Sequence, residues 1–164
     1  MSVVAFATRV AGPWAHLYGA SKLLSTTVTF VHVGGMLLGG GFAIAADRAT
    51  LRVSRHSARR RAHLDELHAI HRPVLLGLAL TFASGMLLLA SDVETLLPAP
   101  LFWIKMGVVA ALLANGARLQ RAETALRHGR GDPDRAWRRL RGAALLSLSL
   151  WFGSVLLGTG LLAV

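Results

Sequence analysis

The chain of 164 residues has no cysteine and few charged residues, 16% against about 25% in an average soluble domain. The absence of cysteine excludes disulfides, thiolate-bound zinc, iron–sulfur clusters and cysteine nucleophiles. Acidic residues are scarce, 8 against 18 Lys and Arg, so the formal net charge is +10. Because 54% of the residues are hydrophobic, intrinsic disorder is excluded as well. A chain this apolar and this basic must keep its charges in separate segments.

Sequence motifs of common enzyme sites are missing too. The chain has no Gly-x-Ser-x-Gly nucleophile elbow, no phosphate-binding Gly-Lys-Ser loop and no pair of carboxylates inside an apolar segment. Nucleophilic catalysis therefore has no support, and the sequence predicts no particular reaction.

Four apolar stretches follow one another along the chain. Each is close to the roughly 20 residues that a helix needs to cross a bilayer core. Charge is almost absent inside them, Lys105 being the exception, whereas a soluble bundle would carry charges along one face of every helix. The sequence therefore predicts an all-α, integral membrane four-helix bundle forming a single membrane domain over residues 1–164. The spans are placed at about residues 23–46, 73–91, 100–118 and 142–164.

Residues 1–22 are predicted to be a short interfacial segment. No basic side chain lies in the first eight positions and Arg9 interrupts the apolar run, which is atypical of a signal peptide. Gly12 and Pro13 predict a break in any helix there. The aromatic residues that follow, Trp14 and Tyr18, are typical of anchors at a membrane surface.

Basic residues are concentrated in two connections. Segments 47–72 and 118–141 contain seven and eight Lys or Arg, whereas two precede the first span and none lies in 91–100. The positive-inside rule then predicts Arg-rich cytoplasmic connections, with both termini outside, in a multi-pass protein of the inner (cytoplasmic) membrane. We interpret the Arg residues as contacts to anionic lipid. Nucleic acid is not predicted as a partner, because no aromatic interleaving or nucleic-acid motif accompanies them.

Residue counts along the helices place four polar side chains at one depth. At 1.5 Å per residue, all four lie about 20 Å from the cytoplasmic boundary. They are His32, Ser84, Lys105 and Ser154. An alternative interpretation of the hydroxyl and glycine residues is that they only allow the helices to pack closely. Lys105 has a different alternative, which is to extend outward toward Asp92 or Glu94.

An ionisable residue inside a span is costly and so suggests a functional site. His32 shares a helix stripe with Gly35 and Gly39. An imidazole beside a surface without side chains suits haem b, with His32 as the iron ligand, or a quinone headgroup held with Lys105. The predicted cofactor-binding residues are His32, Gly35, Gly39, Ser84, Lys105 and Ser154.

A second cluster lies on the cytoplasmic side. Asp65 and His68 are three positions apart, as are His68 and His71, so a helix would bring them close together. A metal site formed by His68, His71 and Asp65 is a weaker hypothesis than a solvated helix, because the spacing is not His-Glu-x-x-His.

Several short motifs resemble those of known membrane proteins. They are His-Val-Gly-Gly from His32, glycines 39–41, His-Arg-Pro from His71, Phe-Trp-Ile-Lys-Met from Phe102, and Asn115-Gly116. Together they resemble a group of small bacterial four-helix membrane proteins, and more distantly copper-resistance D-type proteins and cytochrome b561-type bundles. The last resemblance implies haem b between paired histidines and electron exchange with quinones. His71 is about 20 Å from the depth of His32, so the two cannot share one haem.

Three functions follow as hypotheses. The first is membrane electron transfer through haem b or quinone at the polar layer of His32 and Lys105. The second is a small transporter or copper-handling protein. The third is a non-catalytic structural subunit of a larger membrane complex, and a homo-oligomer is compatible with each of the three.

The predicted topology is tested by single cysteines introduced at Ser57 and Gly129, since the natural chain has none. We expect an impermeant thiol reagent to label both only after the cytoplasmic side is opened. Labelling of either position from the periplasmic side would contradict the orientation.

Overall fold

The computed structural model describes residues 2–53, 57–129 and 132–163, and these fold entirely into helices and short turns. The elements are α1 (Val3–Ala20), α2 (Lys22–Arg52), α3 (Ser57–Ser91), α4 (Val93–Leu96), α5 (Pro100–Arg127) and α6 (Pro133–Gly160), with a 3-10 turn over Leu161–Ala163. Helices α2, α3, α5 and α6 each contain a segment long and apolar enough to cross a membrane. The predicted all-α bundle with four candidate spans is confirmed.

The sequence pair Asp132-Pro133 begins the last helix. Asp132 is the N-cap of α6, and its carboxylate accepts a hydrogen bond from the amide of Asp134 at 2.9 Å. Pro133 follows at the first helical position, where its missing N–H costs nothing. The helices also continue past the predicted spans, so most of the two basic connections is helical.

The predicted break at Gly12 and Pro13 is wrong. Helix α1 continues through both residues. Contacts with neighbouring helices hold it in place: the indole of Trp14 donates a hydrogen bond to the carbonyl of Leu87 on α3 at 2.8 Å. Tyr18 is also paired with Thr29 of α2, at 3.4 Å between the hydroxyl oxygens. Tertiary contacts of the turns that follow the proline thus override the local preference for a break.

Helices α2 and α3 pack at backbone distance because glycines face each other. A Cβ atom added to Gly77 would lie 2.2 Å from the amide nitrogen of Gly39 and 2.7 Å from the carbonyl oxygen of Gly35. A Cβ atom on Gly35 would lie 2.7 Å from the hydroxyl of Thr81. Small residues at such crossings let membrane helices gain van der Waals contact along their backbones.

The four long helices associate as two close pairs. Helix α2 packs along α3, α5 packs along α6, and α2 joins the pairs by contact with α6. Helices α3 and α5 touch only over a short stretch. The bundle is therefore open along the line between α3 and α5.

Polar contacts join the two pairs at the end where the basic connections lie. Arg60 of α3 is paired with Asp134 of α6 at 3.1 Å, and Arg141 donates to the carbonyl of Leu51 at 3.1 Å. Below them Leu64, Trp137 and Leu140 form an apolar cluster, in which Leu140 has no exposed surface. We call this end of the bundle the Arg-rich end.

The glycine contact predicts a large effect of one added methyl group. Gly77→Ala would force α3 away from α2, and we expect it to lower the free energy of unfolding by about 1–3 kcal/mol. Thermal unfolding of the purified protein in detergent measures the change. Gly34→Ala is the matched control, because nothing lies within 4 Å of its added Cβ atom. Equal stability of Gly77→Ala and Gly34→Ala would contradict the packing.

Candidate functional site

A groove lies where the bundle is open, between α3 and α5, with α2 and α6 behind it. Its volume is about 240 Å³. Most of its surface is apolar, contributed by Ala43, Leu67, Ile70, Val74, Leu75, Leu78, Leu112, Leu113, Leu119, Leu140 and Trp151. The polar groups on its wall are Asp47, His71, Gln120, Glu123 and Ser147. We call this cavity the lateral groove.

The innermost wall of the lateral groove depends on the contact between α2 and α6. The indole of Trp151 lies against Gly40, where an added Cβ atom would be 3.1 Å from the ring. The absence of a side chain at Gly40 lets the indole lie flat on α2. The ring of Trp151 thus lies between α2 and the groove, which it lines.

Asp47 is a buried carboxylate of this site. Only 4% of the residue is exposed, and the hydroxyl of Ser147 on α6 lies near the carboxylate. Its second oxygen, Oδ2, is buried and accepts no hydrogen bond from any described residue. A buried carboxylate oxygen without a partner is unfavourable unless a ligand or a proton satisfies it.

Asp47 is not among the predicted site residues, because it is the first residue of the basic connection 47–72. The signal lies in its position directly after the apolar run that ends at Ala46. The other residues that face it, Ser147 and Trp151, are 100 or more positions away in the chain. Only the contact between α2 and α6 brings them together.

The opening of the lateral groove at the Arg-rich end carries His71 and Glu123. His71 Nε2 lies 3.5 Å from Glu123 Oε2, and the side chain of Glu123 is only 6% exposed. His68 is one helical turn before His71, and the ligand atoms of His68, His71 and Glu123 all lie within 4.8 Å of one another.

The predicted grouping of His68, His71 and Asp65 is therefore corrected at one position. Asp65 instead faces Arg127, at 3.6 Å between Oδ1 and a guanidinium nitrogen, and its side chain is 76% exposed. Glu123 takes its place beside the histidines. Glu123 is not among the predicted ligands, because it lies on α5, outside the local spacing that links the other three.

His32 is held by α3. Its Nδ1 lies 3.1 Å from both the carbonyl oxygen of Thr81 and the hydroxyl of Ser84. Because a carbonyl oxygen can only accept, the proton of the neutral ring belongs on Nδ1. The Nε2 lone pair of the neutral ring is then available to a ligand.

Lys105 points toward α6 instead of toward the loop that carries Asp92 and Glu94. A Cβ atom added to Gly158 would lie 3.4 Å from Lys105 Nζ. None of the ion pairs between described residues joins Lys105 to Asp92 or Glu94. Ser154, one turn before Gly158, is buried on α6.

Gly35 and Gly39 do not form an open surface beside His32. Both are buried against Gly77 and its neighbours on α3, so the helix fills the space that a macrocycle would need. Gly85 also faces the imidazole, since its added Cβ atom would lie 3.2 Å from His32 Cε1. The residues around His32 therefore do not fit haem b, although the ring has the hydrogen bond typical of a metal-binding histidine.

Comparison of the chain with protein-family profiles, with curated proteins and with solved structures finds no match. The resemblance to copper-resistance D-type and b561-type proteins stays a prediction.

Proposed function

We propose that this protein is a small multi-pass membrane protein that takes an amphipathic organic cation from the bilayer into the lateral groove. The observation that carries the proposal is the buried, unpartnered oxygen of Asp47 inside an apolar cavity. Of the functions suggested by the sequence, the small transporter is the one that this geometry favours.

The chemistry of the groove selects for a cationic head. An ammonium group would donate to Asp47 Oδ2 and neutralise the carboxylate in surroundings where an unpaired charge is costly. The hydroxyl of Ser147 lies near the same carboxylate, and Oδ2 has no hydrogen-bond partner among the described residues. A neutral molecule of the same shape would lack the charge that matches Asp47.

The walls of the groove select for an apolar body. Leu112 and Trp151 lie on the wall with Asp47, and Leu75 and Leu78 on α3 face them. A cavity with mostly apolar walls and a few polar groups is the usual form of a small-molecule site. Because α3 and α5 scarcely touch, a molecule dissolved in the bilayer enters sideways between them.

The groove also offers a path toward the Arg-rich end. His71, Gln120 and Glu123 line the part of its wall nearest that end. A cation released by Asp47 would therefore meet a second buried carboxylate before reaching the surface. Two acidic groups, one after the other along the groove, support transport of the cation through the groove more than permanent binding of the cation in it.

The proposal is tested with 4-bromophenethylamine, whose bromine quenches tryptophan fluorescence. We expect saturable quenching in the parent protein, because the probe would lie beside Trp151. Asp47→Asn should weaken this binding at least about tenfold, since it removes the charge and keeps the shape. Fluorescence titration of the purified protein in detergent measures both affinities.

Two controls make the result specific. The uncharged 4-bromophenethyl alcohol should bind the parent and Asp47→Asn equally weakly. Asp92→Asn removes an exposed carboxylate at the opposite end of the bundle and should leave the amine affinity unchanged. Equal binding of the amine by the parent and by Asp47→Asn would refute the proposed function.

A quinone site at His32 and Lys105 is the second candidate. It is favoured by the hydrogen bond from His32 Nδ1 to Thr81, which leaves Nε2 as an acceptor, and by the position of Lys105 Nζ. The accepting Nε2 matches a hydroxyl of the reduced quinol headgroup, and the ammonium, at the same depth, can donate to an oxygen of either the quinone or the quinol. A quinone bound between them would serve membrane electron transfer.

This second candidate is tested by the quinone that co-purifies with the protein. We expect Lys105→Met and His32→Ala each to reduce the bound quinone several-fold while insertion and folding are preserved, because each removes one partner of the headgroup. Chromatography of an organic extract measures the amount. Lys22→Met is the matched control, since it removes the only other lysine of the chain. If both site variants retained the parent's amount of bound quinone, the polar layer would serve helix packing alone and this second candidate would be refuted.

A further inference from the structure

The cluster of His68, His71 and Glu123 has the composition of a metal site. Two imidazoles from α3 and one carboxylate from α5 converge, with their ligand atoms within 4.8 Å of one another. The two histidines are one helical turn apart, with ring centroids 6.1 Å apart. Imidazole and carboxylate ligands suit zinc and neighbouring first-row divalent ions.

The spacing of the ligand atoms matches such an ion. Ligands bound to a tetrahedral zinc at about 2.0–2.1 Å lie about 3.4 Å from one another. His71 Nε2 and Glu123 Oε2 are already 3.5 Å apart. His68 is exposed, so its side chain can rotate to complete the set.

The charges around Glu123 leave one of its oxygens to the histidines. Arg127 approaches Oε1, at 3.7 Å, whereas His71 faces Oε2. Arg127 also holds Asp65 at 3.6 Å, which keeps that carboxylate on the solvent side of the guanidinium. An ion between the histidines and Oε2 would therefore leave the pairs of Arg127 with Glu123 and Asp65 in place.

We propose that His68, His71 and Glu123 bind a divalent first-row transition-metal ion, with water at the fourth position. The ion would join α3 to α5 at the Arg-rich opening of the lateral groove, where the two helices otherwise have few contacts. This proposal does not depend on the ligand that the groove takes.

Zinc is the probe for this site. The parent protein, purified in detergent and freed of metal with a chelator, should bind one zinc ion per chain in isothermal titration calorimetry. Zinc should also raise the unfolding temperature, because the ion binds the folded chain, in which α3 and α5 are together. We expect His68→Ala to weaken binding at least about tenfold and to abolish the thermal shift. Its fold should be kept, since His68 is exposed.

Matched variants separate this ligand set from the alternatives. Asp65→Asn and His128→Ala remove exposed groups near the same end of the bundle and should leave zinc affinity unchanged. Glu123→Gln should weaken binding as much as His68→Ala does. Asp47→Asn should retain zinc, so failure of this proposal is distinguishable from failure of the proposed function. Absence of zinc binding in the parent would overturn the site, as would equal loss of affinity in Asp65→Asn and His68→Ala.

Discussion

The close approach of α2 and α3 at their glycines is the contact on which the rest of the bundle depends. The backbone of Gly77 lies so near Gly39 that no side chain fits between them. This contact holds α3 against α2, while α6 packs on another side of α2. The second pair, α5 and α6, is then joined to the first mainly through α2 and α6. An opening between α3 and α5 is the geometric result.

The same arrangement explains why the polar groups divide into two sites. His32 lies on the part of α2 that faces α3, so its imidazole is bonded to Thr81 and Ser84. Asp47 lies near the end of α2, where α6 approaches, and it faces Ser147. Helix α2 thus supplies the central ionisable group of both candidate sites. His32 faces α3, and Asp47 faces α6.

The architecture was largely predictable from the sequence, because four apolar runs separated by charged connections have few solutions. The N-cap at Asp132 was predictable for a local reason as well. The course of α1 was not, since the anchors of Trp14 and Tyr18 are on distant helices. Local spacing correctly grouped His68 with His71 and could not find Glu123, which approaches from α5.

The glycine pattern shows another reason why the site could not be predicted from the sequence alone. Gly35 and Gly39 follow His32 on one stripe, and that stripe was interpreted as an open surface for a cofactor. A stripe of small residues is equally the sign of a close helix neighbour, and periodicity alone does not distinguish the two. Asp47 is not predicted as a site residue for a related reason. It lies where the apolar run of α2 meets the basic connection, and whether a residue there is buried depends on which helix packs against it.

The contact between Gly40 and Trp151 fixes the distance between the indole and the backbone of α2. The indole lies directly on the backbone of α2, 3.1 Å from where a Cβ atom of residue 40 would be. The same ring lines the lateral groove, whereas Gly40 does not. Any larger residue at position 40 would displace the ring. The shape of the groove thus depends on a residue that is not part of its wall.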